Sequence, residues 1–206
     1  MIRRSVFVYI AVVVLLFGGI VLPEILGASR GDYSSLANYL SELGASGTST
    51  QRLTNTLAFP LTGIGCISII LALWHRLPAV KTIRAGLICL MLGIPLGYFG
   101  AVIFPCDYGC PIEGSRKQNM HNLLGLVQYP LGVIGFVLLA VNLKTRPVWR
   151  FACGLAAAAM VIGFVMMISP GQASLRGAWQ RLGDYTAFLV LVGLVLSTQP
   201  LSLIHI

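Results

Sequence analysis

The sequence predicts an all-α polytopic membrane protein, a bundle of six transmembrane helices with a short interfacial helix after the first span. Two features of the composition indicate this class: 57% of the 206 residues are hydrophobic and only 10% are charged. A soluble domain of this length normally carries about a quarter charged residues. The third observation is the position of the charges, because Lys and Arg flank long apolar segments and do not form one soluble basic patch.

Six apolar segments are long enough to cross a bilayer, which needs roughly 20 helical residues. They cover about residues 5–26, 53–74, 83–104, 121–143, 148–169 and 179–199. Each must be helical, because backbone polar groups cannot remain unpaired in lipid. The segments occupy nearly the whole chain, so we expect a single membrane domain over residues 1–200. The final hexapeptide, LSLIHI, matches one reading frame of a sequencing-adapter end, and we interpret residues 201–206 as read-through.

The charged residues predict an orientation. All six acids fall in three hydrophilic stretches that a six-span topology places on one side: Glu24, Asp32, Glu42, Asp107, Glu113 and Asp184. The alternating stretches, residues 1–4, 75–84 and 144–150, carry Lys and Arg and no acid. The positive-inside rule then predicts a cytoplasmic N-terminus in the cell (inner) membrane, with the main loops on the outer side. We therefore expect membrane lipid, and not nucleic acid, as the partner of this basic chain.

Two further patterns predict a short surface helix and a contact between two spans. In the first outer loop, YSSLANYLSELG, Leu36, Leu40 and Leu43 recur at helical spacing, which is typical of a short amphipathic helix at the membrane surface. In the third span, Gly93 and Gly97 form a small-xxx-small pair. Such pairs allow neighbouring helices to approach closely, so we expect a packed interface on that face.

Three segments occur in order along most of the chain. They are YLSELGASGTSTQRLTN before the second span, IFPCDYGCP followed by His121 in KQNMHNLLG, and GAWQRLGDY at the entry to the last span. Together they resemble the bacterial and archaeal membrane family called domain of unknown function 998. The resemblance implies a six-helix or similar bundle, and it implies no established reaction.

Cys106 and Cys110 bracket the second outer loop in the pattern C-D-Y-G-C. On the outer side of a membrane, thiols meet an oxidising compartment, which favours a short disulfide, and Gly109 can supply the tight turn. Two alternatives are a free or redox-active pair and a metal site. A zinc site normally has four ligands, and this pattern supplies two, so we expect no metal.

His121 enters the fourth span from the outer side and could serve as a proton shuttle, a ligand or an interfacial hydrogen-bonding residue. A carboxylate beside it, Asp107 or Glu42, would complete an acid/base pair. Ligation of one haem by two histidines is excluded, because His75 lies on the cytoplasmic side of the predicted membrane and His121 on the outer side. We expect no cofactor.

The outer ends of the spans carry a polar cluster. Its members are Asp32, Ser41, Glu42, Asn55, Asp107, His121, Gln180 and Arg181. Polar groups that approach lipid are costly unless they are paired. One interpretation is a cap of salt bridges in which Arg181 pairs with Glu42 or Asp107. The other is a pocket whose ligand-binding residues are Asp32, Ser41, Glu42, Asn55, His121, Gln180 and Arg181.

These patterns favour two hypotheses for the function. The first is a multi-pass integral membrane protein that binds a lipid or amphipathic small molecule at an outward-facing polar pocket. The second is an enzyme at the membrane interface, with His121, Asp107 and Glu42 as candidate catalytic residues. A transporter or channel is disfavoured, because the predicted spans hold no Asp, Glu, Lys or Arg deep inside, whereas coupled ion pathways usually do.

Overall fold

The regular elements of the chain are helices. The computed structural model describes residues 2–199, with side chains from residue 5 onward, and no strand occurs in that range. The helices are α1 (Ile2–Leu16), α2 (Leu22–Ala28), α3 (Gln51–Leu53), α4 (Phe59–Arg76), α5 (Lys81–Ile103), α6 (Arg116–Asn142), α7 (Pro147–Ile168) and α8 (Arg176–Ser197). Residues 201–206, which we interpret as read-through, lie outside the described residues.

Two π-helical turns join the shorter helices into longer rods. Phe17–Val21 joins α1 to α2, and Thr54–Ala58 joins α3 to α4. The first rod therefore runs over Ser5–Ala28 and the second over Gln51–Arg76. Each of the helices α5 to α8 is a rod by itself, so the described chain contains six rods.

Five of these rods are long and apolar enough to cross a membrane. They are Ser5–Ala28, Gln51–Arg76, Lys81–Ile103, Arg116–Asn142 and Pro147–Ile168. They coincide with the first five predicted spans. The sixth predicted span lies on α8, which is helical but carries Arg176, Arg181 and Asp184 in its first half. The all-helical class is thus confirmed, and the sixth crossing stays a prediction.

The rods pack in chain order and then close on themselves. α1 packs on α4, α4 on α5, α5 on α6, α6 on α7 and α7 on α8, while α8 also contacts α4 and α1. The closed arrangement buries large apolar side chains such as Leu15, Phe59, Phe136 and Phe188. Many other large apolar side chains, such as Ile10, Val148 and Phe151, face outward, which is compatible with surrounding lipid.

Glycines bring α5 and α6 into close contact, as the small-residue spacing predicts. A Cβ atom at Gly93 would lie 3.0 Å from the Gln128 carbonyl oxygen and 3.0 Å from Leu131 Cβ. One at Gly86 would lie 3.0 Å from the Gly135 carbonyl oxygen. Because these glycines face backbone atoms, which cannot rotate away, larger residues do not fit without moving the helices apart.

The loops after α2, α5 and α7 meet at one end of the bundle, which we call the loop end. The Ser46 N–H donates to the Cys106 carbonyl at 2.8 Å and joins the first loop to the second. The Leu40 N–H donates to Gln180 Oε1 at 2.6 Å and joins the first loop to α8. The loop end is therefore one hydrogen-bonded layer over the helices.

The predicted amphipathic helix in the first loop is reduced to a 3₁₀ turn at Leu40–Gly44. The residues before it form turns, because their carbonyl groups are engaged by α8. The four consecutive carbonyls of residues 35–38 accept hydrogen bonds from Arg181, the Ala178 N–H, Arg176 and again Arg181. These bonds to α8 satisfy carbonyls that an isolated segment would satisfy through a helical ladder, so they compete with helix formation here. The sequence showed the helical spacing of the leucines but not this competition.

Substitution of Gly93 by leucine should reduce stability through overpacking, by about 1–3 kcal/mol. Gly154→Leu is the matched control, because no heavy atom lies within 4 Å of a Cβ placed at Gly154. Thermal unfolding of both purified variants in detergent measures the difference. Equal melting temperatures for the two variants would contradict the close α5–α6 contact.

Candidate functional site

A cavity of about 410 Å³ opens at the loop end between α5, α6, α7 and α8. Its polar lining residues are Ser41, His121, Asn122, Gln128, Gln180 and Asp184, and its aromatic ones are Tyr39, Phe59, Tyr98, Tyr129 and Phe164. The rest of the wall is mainly aliphatic. A concave, mostly apolar site with a few convergent polar groups is the usual form of a small-molecule pocket.

The acidic residue of the cavity lining is Asp184, which lies two turns inside α8 and is 3% exposed. Its Oδ2 atom accepts a hydrogen bond from the Tyr98 hydroxyl at 2.9 Å. Its Oδ1 atom accepts from the Tyr129 hydroxyl at 3.1 Å and from Gln128 Nε2 at 3.3 Å. Three neutral donors from α5 and α6 thus fix the orientation of a carboxyl group that belongs to α8.

The sequence pattern assigned Asp184 to a polar stretch and described the deep parts of the spans as free of Asp, Glu, Lys and Arg. That description was wrong because α8 begins at Arg176, so Asp184 is well inside the helix. The burial of Asp184 could have been predicted from the 3.6-residue helical repeat of the sequence. Asp184 shares its face with the buried residues Phe188, Leu191 and Val195, at spacings of four, seven and eleven residues.

The aromatic wall is built from pairs of rings on neighbouring helices. Tyr129 of α6 stacks on Phe164 of α7, with ring centroids 5.1 Å apart. Phe59 of α4 meets Tyr98 of α5 edge to face, at 5.5 Å between centroids. Because both tyrosines also donate to Asp184, the packing of these rings holds their hydroxyl groups at the carboxylate.

At the loop end, Cys106 and Cys110 lie at disulfide distance, with Cα atoms 5.1 Å apart. Gly109 has a φ of +77°, so it provides the turn between them, as its position in the sequence predicts. The two sulfur atoms and a ring nitrogen of His121 lie within 4.8 Å of one another. With the sulfurs bonded to each other, neither is a thiolate, and this group offers a metal ion only one imidazole ligand.

His121 lines the cavity and is hydrogen-bonded on one side. Its Nδ1 atom lies 3.0 Å from the Phe104 carbonyl oxygen. A carbonyl can only accept, so Nδ1 carries the hydrogen in this bond and Nε2 is the acceptor of the neutral ring. Neither predicted carboxylate is bonded to this imidazole.

The two predicted acid partners of His121 are engaged elsewhere. Asp107 accepts the Ser115 N–H and the Ser115 hydroxyl, each at 2.7 Å, and these donors lower the pKa of the Asp107 carboxyl group. Glu42 is buried and accepts the Tyr39 N–H at 2.8 Å. The structure therefore places an imidazole in the cavity and leaves both carboxylates in the loops.

Arg181 connects α8 to the first rod and the first loop. It is 8% exposed, and its Nε donates to Glu24 Oε1 at 2.7 Å. A cap of ion pairs thus exists, but the predicted partners Glu42 and Asp107 were wrong. Glu24 lies in the first turn of α2 and faces α8, whereas the sequence analysis grouped it with the loop. The Nη2 atom of Arg181 donates a second hydrogen bond, to the Tyr33 hydroxyl, at 2.7 Å.

Two other predicted residues also stabilise the loop end. Asp32 is exposed and pairs with Arg30 at 2.6 Å, and the Arg30 guanidinium holds the pKa of this carboxyl group well below its usual range. Asn55 donates from Nδ2 to the Gly44 carbonyl at 2.9 Å. Of the predicted ligand-binding residues, the cavity is lined by Ser41, His121 and Gln180, whereas the loops are held by Asp32, Glu42, Asn55 and Arg181.

The fold and the cavity together define a class: over residues 2–199, a bundle of helices that encloses a pocket of small-molecule size, with five rods long and apolar enough to cross a membrane. The family described as Protein of unknown function (DUF998) matches residues 9–197. The chain belongs to this family, as the three segments in its sequence implied. No curated protein and no solved structure matches the chain.

Counting reactive thiols tests the pairing of Cys106 with Cys110. After denaturation without reductant, maleimide should add to the three free cysteines, Cys66, Cys89 and Cys153. After reduction it should add to all five cysteines of the chain. Intact-protein mass spectrometry counts the adducts. Five adducts without reductant would show that the pair is not bridged.

Proposed function

We propose that the protein is a multi-pass integral membrane protein that binds an amphipathic small molecule in the cavity at its loop end. The observation that carries this proposal is the cavity of about 410 Å³, whose apolar wall converges on Asp184. Ligand pockets commonly have volumes of about 300–1,000 Å³. The aliphatic wall suits the apolar part of such a molecule, and Asp184, Gln128 and Gln180 suit its polar part.

The rim of the cavity supports entry from the bilayer. Leu126 of α6 and Ile168 of α7 line the cavity and are 54% and 53% exposed. Both belong to helices that can cross a membrane. Exposed leucine and isoleucine at this position are compatible with lipid and unfavourable in water, so a membrane lipid or a lipid-soluble molecule is the expected source of the ligand.

The same proposal includes six crossings, a cytoplasmic N-terminus and a loop end outside the cell (inner) membrane. The opposite loops carry the Lys and Arg residues that have no acid among them. α8 can serve as the sixth crossing because its polar groups have partners. Arg181 pairs with Glu24, and Asp184 accepts three hydrogen bonds. Paired polar groups inside a bundle cost far less than unpaired ones.

His121 supports a second candidate, an enzyme at the membrane interface. Its Nε2 atom is available as a proton acceptor on a residue that lines the cavity. The binding function is the stronger proposal, because the hydrogen-bond partner of His121 is the Phe104 carbonyl and not a carboxylate. An imidazole held this way can also serve as one polar contact of a bound ligand.

The proposed orientation is tested with two single-cysteine substitutions. Gly31→Cys, at an open position in the first loop, should react with a membrane-impermeant maleimide in intact spheroplasts. Lys144→Cys, between α6 and α7, should react only after the membrane is permeabilised. Labelling is read from the purified chain by gel or mass spectrometry. The reverse pattern would place the loop end in the cytoplasm.

Filling the cavity should remove its occupant. Gly125 lines the cavity, and a Cβ there meets no heavy atom within 4 Å, so a tryptophan can extend into the empty space. We expect the amount of co-purified amphiphile to fall by a factor of about ten or more in Gly125→Trp. A factor of ten corresponds to a loss of about 1.4 kcal/mol of binding free energy. Solvent extraction and mass spectrometry of the purified protein measure the amount.

The control for this experiment is Gly154→Trp on α7. Gly154 is equally open, but it lies in a groove lined by residues near the opposite end of the bundle. Melting temperatures show whether both variants are folded. If the folded Gly125→Trp variant and the control retain the same amphiphiles in the same amounts, the cavity is not the binding site.

A further inference from the structure

The charge of the cavity identifies the class of its ligand. Resting on the proposed binding function, we infer that the ligand is a cationic amphiphile, whose ammonium head group lies beside Asp184 and among the surrounding aromatic rings. Three features of the cavity support this inference: its charge balance, the remaining acceptor capacity of Asp184, and the chemistry of the wall.

When its carboxyl group is ionised, Asp184 gives the cavity a negative charge that the lining residues do not balance. Among the lining residues in the described part of the chain it is the only acid, and none is Lys or Arg. It takes part in none of the ion pairs between residues 5 and 199. Arg181, one turn earlier on α8, is paired with Glu24. A buried carboxylate that lacks a counter-charge is costly, and a bound cation removes that cost.

The hydrogen bonds of Asp184 leave one acceptor position free. The two oxygens of a carboxylate offer about four positions to donors. Oδ1 receives two hydrogen bonds, from Tyr129 and Gln128, while Oδ2 receives one, from Tyr98. The remaining position on Oδ2 can accept an N–H of an ammonium group, and a quaternary ammonium can approach the same oxygen by charge alone.

The wall favours a cation over an anion. Five aromatic side chains line the cavity, from α4, α5, α6, α7 and the first loop. The faces of such rings attract organic cations. Four lining side chains that could donate to an anion are already used: Tyr98, Tyr129 and Gln128 donate to Asp184, and Asn122 Nδ2 donates to a loop carbonyl at 2.8 Å.

A structural role of Asp184 is the competing explanation, since its hydrogen bonds also join α8 to α5 and α6. The two roles differ in what the charge does. If Asp184 only holds the helices together, neutralising it lowers stability and leaves the charge preference of the cavity unchanged. If it binds a cationic head group, neutralising it removes that preference.

Two amphiphiles of nearly equal shape separate these roles. Dodecyltrimethylammonium is a cation, and dodecyldimethylamine oxide, in which an oxygen replaces one methyl group, is uncharged at pH 8. Binding of radiolabelled dodecyltrimethylammonium to the purified protein in a neutral maltoside detergent is measured first. Competition by the unlabelled amine oxide then gives the charge preference.

We expect the wild type to bind the cation at least about tenfold more tightly than the amine oxide. Asp184→Asn should lose this preference. Asp32→Asn is the matched control: it makes the same change on an exposed carboxylate at the loop end, outside the cavity, and should keep the preference. Gly125→Trp should lose binding of both probes.

The outcomes are distinguishable. Equal binding of both amphiphiles by the wild type would overturn the inference and leave the proposed binding function intact. A preference that persists in folded Asp184→Asn would assign Asp184 a structural role only. If that variant does not fold, the wild-type preference for the cation, together with the loss of cation binding in Gly125→Trp, still tests whether the cavity binds a cationic ligand. Failure of both probes to bind, together with no effect of Gly125→Trp on co-purified amphiphile, would overturn both proposals.

Discussion

The ion pair between Arg181 and Glu24 determines how the loop end is built. An arginine inside an apolar bundle is tolerated only when its donors are satisfied. Here the guanidinium binds Glu24 of α2, the Tyr33 hydroxyl, and backbone carbonyls of the first loop. Because one side chain fixes the first rod, the first loop and α8 together, the loop cannot become a separate helix on the membrane surface.

The fixed first loop then becomes one side of the cavity. Leu40 is bound to Gln180 at the start of α8, and the Tyr39 hydroxyl donates to the Met167 carbonyl at the end of α7 at 3.0 Å. Ser41 faces Cys110 of the second loop, with their side-chain oxygen and sulfur 3.5 Å apart. The cavity is thus bounded by loops that are held to the helices at several points, and Asp184 lies beneath them.

Much of this fold could be predicted from local sequence patterns. Long apolar segments predict the rods, and the spacing of Gly93 and Gly97 predicts a helix contact. The spacing of Cys106 and Cys110 predicts a turn that brings their sulfur atoms close to each other. The burial of Asp184 and the partner of Arg181 depend on which faces of distant helices meet. One sequence contains no direct record of such contacts, although helical periodicity places Asp184 on the buried face of α8.

The π-helical turn at Phe17–Val21 has a consequence for Glu24. Such a turn holds one residue more than the surrounding helix allows, and one residue corresponds to about 100° of rotation. The side chains of α2 are therefore rotated by that angle from the directions they would have in an uninterrupted helix. Without the extra residue Glu24 would point away from Arg181, and the first rod would offer a different stripe of residues to α8. One inserted residue therefore sets the direction in which every side chain of α2 points.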